Sequence, residues 1–166
     1  MENNLSPFEA DQNGAVYPVL LQPDLTKILA KASLAAYEQF DKNSHPQQIA
    51  SGGISFSYVD TFTGFGAWLF GSGSEESYGL IYRMDSQPST LLIAFRGTDS
   101  TADAIIDLES IVPVAFKPFK PPVGFPLVNV GDGFYKTYAD KGNSMAQSMR
   151  EQLFAKLSTY PHDHII

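Results

Sequence analysis

Arg96-Gly97-Thr98-Asp99-Ser100 is the part of this chain whose residue types and spacing could do chemistry. A guanidinium, a glycine and three short polar side chains follow directly on Leu91-Leu92-Ile93-Ala94-Phe95, five apolar residues in a row. Such a run suits a strand buried on both faces of a sheet. Glycine lets the backbone turn sharply where the strand ends, and the short polar side chains then line the mouth. Ligands of open α/β sheets bind just beyond the carboxyl ends of the strands. The stretch therefore reads as one wall of a binding site, although taken alone it also reads as a core strand with an ordinary polar turn.

The remaining chemically suggestive residues carry less. Gly71-Ser72-Gly73-Ser74-Glu75 lacks the lysine of a phosphate-binding loop and the helix that follows a dinucleotide turn. Its serines also stand at the wrong offsets for a Gly-x-Ser-x-Gly nucleophile motif, which occurs nowhere in the chain. His162-Asp163-His164 offers two imidazoles on a short loop with no third ligand evident, so no metal site is assigned. His45, between serine, proline and glutamine in a polar loop over 41–53, reads as solvated.

The elements that must position the Arg96 turn follow from periodicity. Residues 1–23 are polar with scattered proline and glycine and read as a loose N-terminal arm. Leu25, Ile28, Leu29, Ala32, Ala35, Ala36 and Phe40 share one helical face, with Asp24 as its N-cap after Pro23. Strands are expected at Ile54–Tyr58, at Phe65–Phe70 and at Tyr78–Met84, the last two joined by a hairpin loop over 71–76. A short amphipathic helix fits Ser100–Leu108, and a stiff proline-punctuated loop runs from Pro113 to Pro126. Val128 and Val130 mark a brief strand. A helix should then occupy much of Tyr135–Thr159, broken near Gly142-Asn143, with Met145, Ala146, Met149, Leu153, Phe154 and Leu157 on its buried face. Pro161 ends it, and Ile165-Ile166 opens a further strand.

One ordered series of motifs runs through the second half. Phe95-Arg96-Gly97-Thr98 is followed by Asp107-Leu108, Val112-Pro113-Val114, Gly133-Phe134-Tyr135, Tyr160-Pro161 and Ile165-Ile166. From about Thr90 to Ile166 this order resembles the class 3 lipases, the fungal-type triacylglycerol lipase family of α/β hydrolases. The resemblance implies an α/β fold with a mixed sheet and flanking helices. It also implies that residues 24–166 are the N-terminal part of an α/β-hydrolase domain, ending before the strand that runs into the Gly-His-Ser-Leu-Gly nucleophile elbow. Thr98 then becomes the catalytic residue, an oxyanion-hole donor through its backbone N–H and hydroxyl. Asp99, Ser100, Ile105 and Ile106 would border the acyl pocket or its lid. Arg96, Gly97 and Asp107 become structural support, with Arg96 and Asp107 bracing the turn as an opposite-charge pair. Ala104 stands where the family often carries tryptophan, which implies weak interfacial activation. The catalytic serine, aspartate and histidine would lie beyond Ile166, leaving these residues alone inactive.

Composition bounds the alternatives. A net charge of −7 and a pI near 4.8 argue against nucleic acid, which demands basic patches. The chain contains no cysteine, hence no disulfide and no thiolate nucleophile. No run approaches the length of about 18 apolar residues that spans a membrane. Met1-Glu2-Asn3-Asn4 starts no signal peptide, so the expected location is cytoplasmic, or exported by another route. No cofactor is expected. The expected partners are a lipid or ester substrate, contact with a lipid–water interface, and either self-association or a complementary C-terminal half. A non-catalytic lipid-binding or regulatory fragment of the same fold is the alternative reading.

Overall fold

A computed structural model describes residues 8–10, 16–18, 23–66, 75–97, 113–115, 129–141 and 145–166. Its centre is a mixed five-stranded sheet. Strands β3 (Gln48–Ser51), β4 (Ile54–Phe65), β5 (Glu75–Met84) and β6 (Thr90–Phe95) pair antiparallel in that order, and β9 (His164–Ile165) adds to β6 in parallel. Two short antiparallel pairs stand apart from it: β1 (Phe8–Ala10) with β2 (Val16–Pro18), and β7 (Pro113–Ala115) with β8 (Asn129–Gly131). The helices are α1 (Pro23–Lys42), α2 (Asp132–Ala139) and α3 (Met149–Thr159).

Period-two alternation along the strands sends neighbouring side chains to opposite faces, and each face receives a helix. Ile28, Ala32 and Ala35 of α1 pack on Phe56, Leu80, Tyr82, Leu92 and Ala94. Met149 and Leu153 of α3 pack on Phe62, Ile81 and Leu91, which point the other way. Leu91 and Leu92 are both buried, the two-faced burial expected of that apolar run. Tyr82 is buried in the α1 layer, where burial pushes its phenol up to about 12, and its hydroxyl donates to the Pro46 carbonyl at 3.2 Å.

Several expectations need correction. Ile54–Tyr58 is only the first part of a longer strand, because β4 runs unbroken from Ile54 to Phe65, with register shifts at Tyr58/Asp60 and Phe62/Thr63 absorbing the irregular pattern; of the strand expected at Phe65–Phe70, residues 67–70 lie outside the described residues. Strand β5 begins at Glu75, inside the expected hairpin loop. Part of the N-terminal arm forms the β1–β2 pair. Asp24 does not precede α1 but lies in its first turn, with Pro23 at the helix start. Its carboxylate accepts from Ser51 Oγ at 2.9 Å, reaching the tight Gly52-Gly53 turn, where both residues have positive φ.

The helical structure expected over 135–159, with its break near Gly142-Asn143, is found as two helices, α2 and α3, and residues 142–144 lie outside the described residues. The second starts at a capping box in which Ser148 Oγ accepts from the Glu151 N–H and the Glu151 carboxylate accepts from the Ser148 N–H. Phe154 and Ala146, expected on the buried face, are exposed, while Met145, Met149 and Leu153 are buried. His45 is not simply solvated. Its Nδ1 donates to Gln39 Oε1 at 2.7 Å, its Nε2 accepts from Gln47 at 3.2 Å, and its ring lies 3.9 Å from that of Tyr58. No helix among the described residues is long and apolar enough to cross a membrane.

Candidate functional site

Strand β6 is where the sheet changes from antiparallel to parallel pairing, the parallel pairs lying in its first half, at Thr90 and Leu91. On one side β6 lies antiparallel to β5, from Gly79↔Phe95 to Arg83↔Leu91. On the other, Thr90 and Leu91 pair with His164 and Ile165 of β9, and the Ile93 N–H donates to the Ile166 carbonyl at 3.0 Å. The strand opened by Ile165-Ile166 is therefore parallel to β6 and next to it. Arg96 and Gly97 stand at the end of β6.

Arg96 is the most tightly held charged residue at this end. Its side chain is 0% exposed and forms an ion pair with Glu76 Oε2 at 2.8 Å, the Glu76 side chain being 16% exposed. Nε donates to the Ser77 carbonyl at 2.8 Å, and Nη1 lies 3.5 Å from the Gly97 carbonyl oxygen. The flat faces of the guanidinium meet aromatic rings: its central carbon is 3.9 Å from the Phe40 centroid and 4.4 Å from that of Tyr78. A buried guanidinium is tolerable only when its charge is compensated and its donors are used. Among the described residues a carboxylate, backbone carbonyls and two π-faces do so together. Phe40, expected to be core, thus stacks on Arg96.

Gly97 is required by a close approach. A Cβ built on it would run into the Tyr37 hydroxyl from α1, so only glycine fits without displacing that ring. The last turns of α1 and the first residues of β5 therefore grip the end of β6 from two directions. Phe95 is about half exposed, and its ring meets Phe62 edge-on at 5.0 Å.

Of the residues singled out from the sequence, Arg96 and Gly97 lie together at this turn. Thr98, Asp99, Ser100, Ile105, Ile106 and Asp107 lie outside the described residues, as does the helix expected over 100–108. The acidic partner seen on Arg96 is Glu76, which sequence reasoning had left in a hairpin loop. The signal was present in Glu76-Ser77-Tyr78, where period-two spacing puts the acid and the aromatic ring on one face.

A second polar feature lies on the α3 side of the sheet, a cleft of about 440 Å³ between β4 and α3. Lys156 Nζ and the Tyr160 hydroxyl both meet Asp60 Oδ2, at 2.8 and 3.2 Å. Gln152 bonds the Thr63 backbone and side chain. Burial, and then the Asp60 charge, push the Tyr160 phenol upward. These groups satisfy one another, and the arrangement reads as a junction between strand and helix. Its members are up to 100 residues apart in sequence, so no local pattern announces it.

No protein-family model, no curated protein and no solved structure matches this chain.

Proposed function

We propose that the chain carries the oxyanion-turn half of a carboxylic-ester (lipid) hydrolase of the class 3 lipase type, working by serine nucleophile chemistry. The observation that carries this reading is the position of Arg96-Gly97 just beyond the carboxyl end of β6, a strand with a parallel neighbour in β9. In α/β sheets that is where ligands bind. In the proposed reaction a serine attacks the ester carbonyl, a histidine takes its proton, and a carboxylate holds the histidine. The Thr98 N–H would donate to the developing oxyanion, and a second donor would follow the serine. Loss of one such donor typically costs about a hundredfold or more in turnover. Asp99, Ser100, Ile105 and Ile106 would border the acyl chain.

The nucleophile is not among residues 1–166, since no Gly-x-Ser-x-Gly occurs there. The reading requires it to follow β9 or to come from a companion chain. Sequencing past codon 166 tests this directly. Gly-His-Ser-x-Gly within a few apolar residues, with turnover of p-nitrophenyl butyrate by that product, is the expected result. A second reading is lipid binding without turnover. A stop codon with a matching native mass, no elbow in any partner, and a lipid-dependent rise in melting temperature would put that reading first.

A further inference from the structure

We propose that Arg83 binds the carboxylate group of a small ligand, on the face of the sheet that carries α3. The register sets one row across that face: Gln48 of β3, Ser57 of β4, Arg83 of β5, Leu91 of β6 and Ile165 of β9. On one side of Arg83 the row is apolar, and Leu91 is fully buried. On the other side it is polar and open, with Ser57 half-buried and Gln48 exposed. Helix α3 packs on Phe62, Ile81 and Leu91, so the part of the face it covers ends at Arg83.

A guanidinium on the central strand of a sheet is costly unless its charge is met and its donors are used. Arg83 is half-buried, its Nε is buried without a hydrogen-bond partner, and it forms no ion pair among the described residues. The Tyr160 ring holds it, with the ring centroid 5.3 Å from the central carbon, but a π-face steadies a cation without accepting its in-plane N–H groups. The two acids close by are already committed. Asp60 Oδ2 accepts from Lys156 Nζ at 2.8 Å and from the Tyr160 hydroxyl at 3.2 Å, while its Oδ1 accepts from the Thr61 N–H at 2.8 Å. Asp85 Oδ2 accepts from Ser55 Oγ at 2.6 Å and from Gln48 Nε2 at 2.8 Å. The fork is therefore steadied and left unspent, and the small side chain of Ser57 beside it leaves the approach open. Asp60 and Asp85 repel a dianion such as phosphate. A carboxylate brings a single charge and two coplanar oxygens that match the fork. Arg83 and Glu76 stand at opposite ends of β5, so the proposal is independent of the hydrolase reading.

The test is an NMR titration of the full 166-residue chain with sodium acetate, at ionic strength held constant with sodium chloride, following the Nε–H resonance of Arg83. A saturable shift is expected, half complete at about 10 mM, the range that two charge-assisted hydrogen bonds to a small anion support. Arg150 is the internal control: its Nε also has no partner, but the Glu151 charge lies beside it, and its resonance should not move. In Arg83→Lys, which keeps the charge and loses the fork, the acetate response of the Ser57 amide should weaken about tenfold. In Arg83→Met it should vanish. Thermal melts establish that each variant is folded, and if Arg83→Met is not, Arg83→Lys and the wild-type titration decide. A shift that does not saturate, an equal shift at Arg150, or an undiminished response in Arg83→Lys overturns the proposal. Tighter binding of inorganic phosphate than of acetate at the same ionic strength also overturns it, because the ligand class is then wrong.

Discussion

Replacing Arg96 by methionine should destabilise the chain by about 3 kcal/mol, and removing Glu76 as well should largely undo the damage. Breaking a buried ion pair from one side costs about 3–5 kcal/mol, because the surviving charge is left buried without compensation. Glu76 is 16% exposed, so some water reaches it, and the lower end of that range applies. The lost cation–π contacts with Phe40 and Tyr78 are worth about 1–2 kcal/mol together. A methionine sulfur against the same rings returns about 1 kcal/mol of that. For a chain of this length the single variant should melt about 6–12 °C lower. In Arg96→Met/Glu76→Leu both charges of this pair are gone, and stability should return to within about 1 kcal/mol of the starting protein. Urea unfolding at constant m-value measures all of these differences. A cost below about 1 kcal/mol for Arg96→Met, or a double variant weaker than the single one, would refute the argument that Glu76 and Arg96 compensate each other.

Three further outcomes are expected. Burial lowers the His45 pKa below its ordinary 6.5, so the neutral ring is the form that suits the folded protein. The folded pKa being the lower, stability from this group is fully present above about pH 6.5 and is lost as pH falls towards the folded value. The stability difference between wild type and His45→Gln, compared at pH 7.5 and 5.5 by urea unfolding, should therefore shrink on acidification; a difference that grows contradicts the sign. Gly97→Ala should destabilise by about 1 kcal/mol and Tyr37→Phe should rescue it, since the added methyl meets the phenol oxygen. Thermal melts of the four proteins of that cycle decide the matter, and additive effects would rule out the contact. Ser148→Ala should cost about 1 kcal/mol by uncapping α3, read by circular dichroism during urea unfolding, and no measurable loss would mean the capping box is idle.

The sequence by itself determined the local pieces, because local physics specifies them. The spacing of Ile28, Ala32 and Ala35 made α1, and the apolar run Leu91–Phe95 made a strand with two buried faces. The turn at Arg96-Gly97 and the apolar start at Ile165-Ile166 were legible for the same reason, as was the division of the chain into an α/β order of elements. The position of Arg96-Gly97 at the end of a strand could be read, but its supports could not. Opposite charges attract at any sequence separation, so nothing local in the chain chooses Glu76 as a partner for Arg96. That choice needed β5 and β6 to pair in a register that brings residues 20 apart to within 2.8 Å. The stacking of Phe40 on the guanidinium, the approach of Tyr37 to Gly97 and the bond from Tyr160 to Asp60 have the same origin. Each is a contact between elements, and its partners were settled only when helices packed on both faces of the sheet.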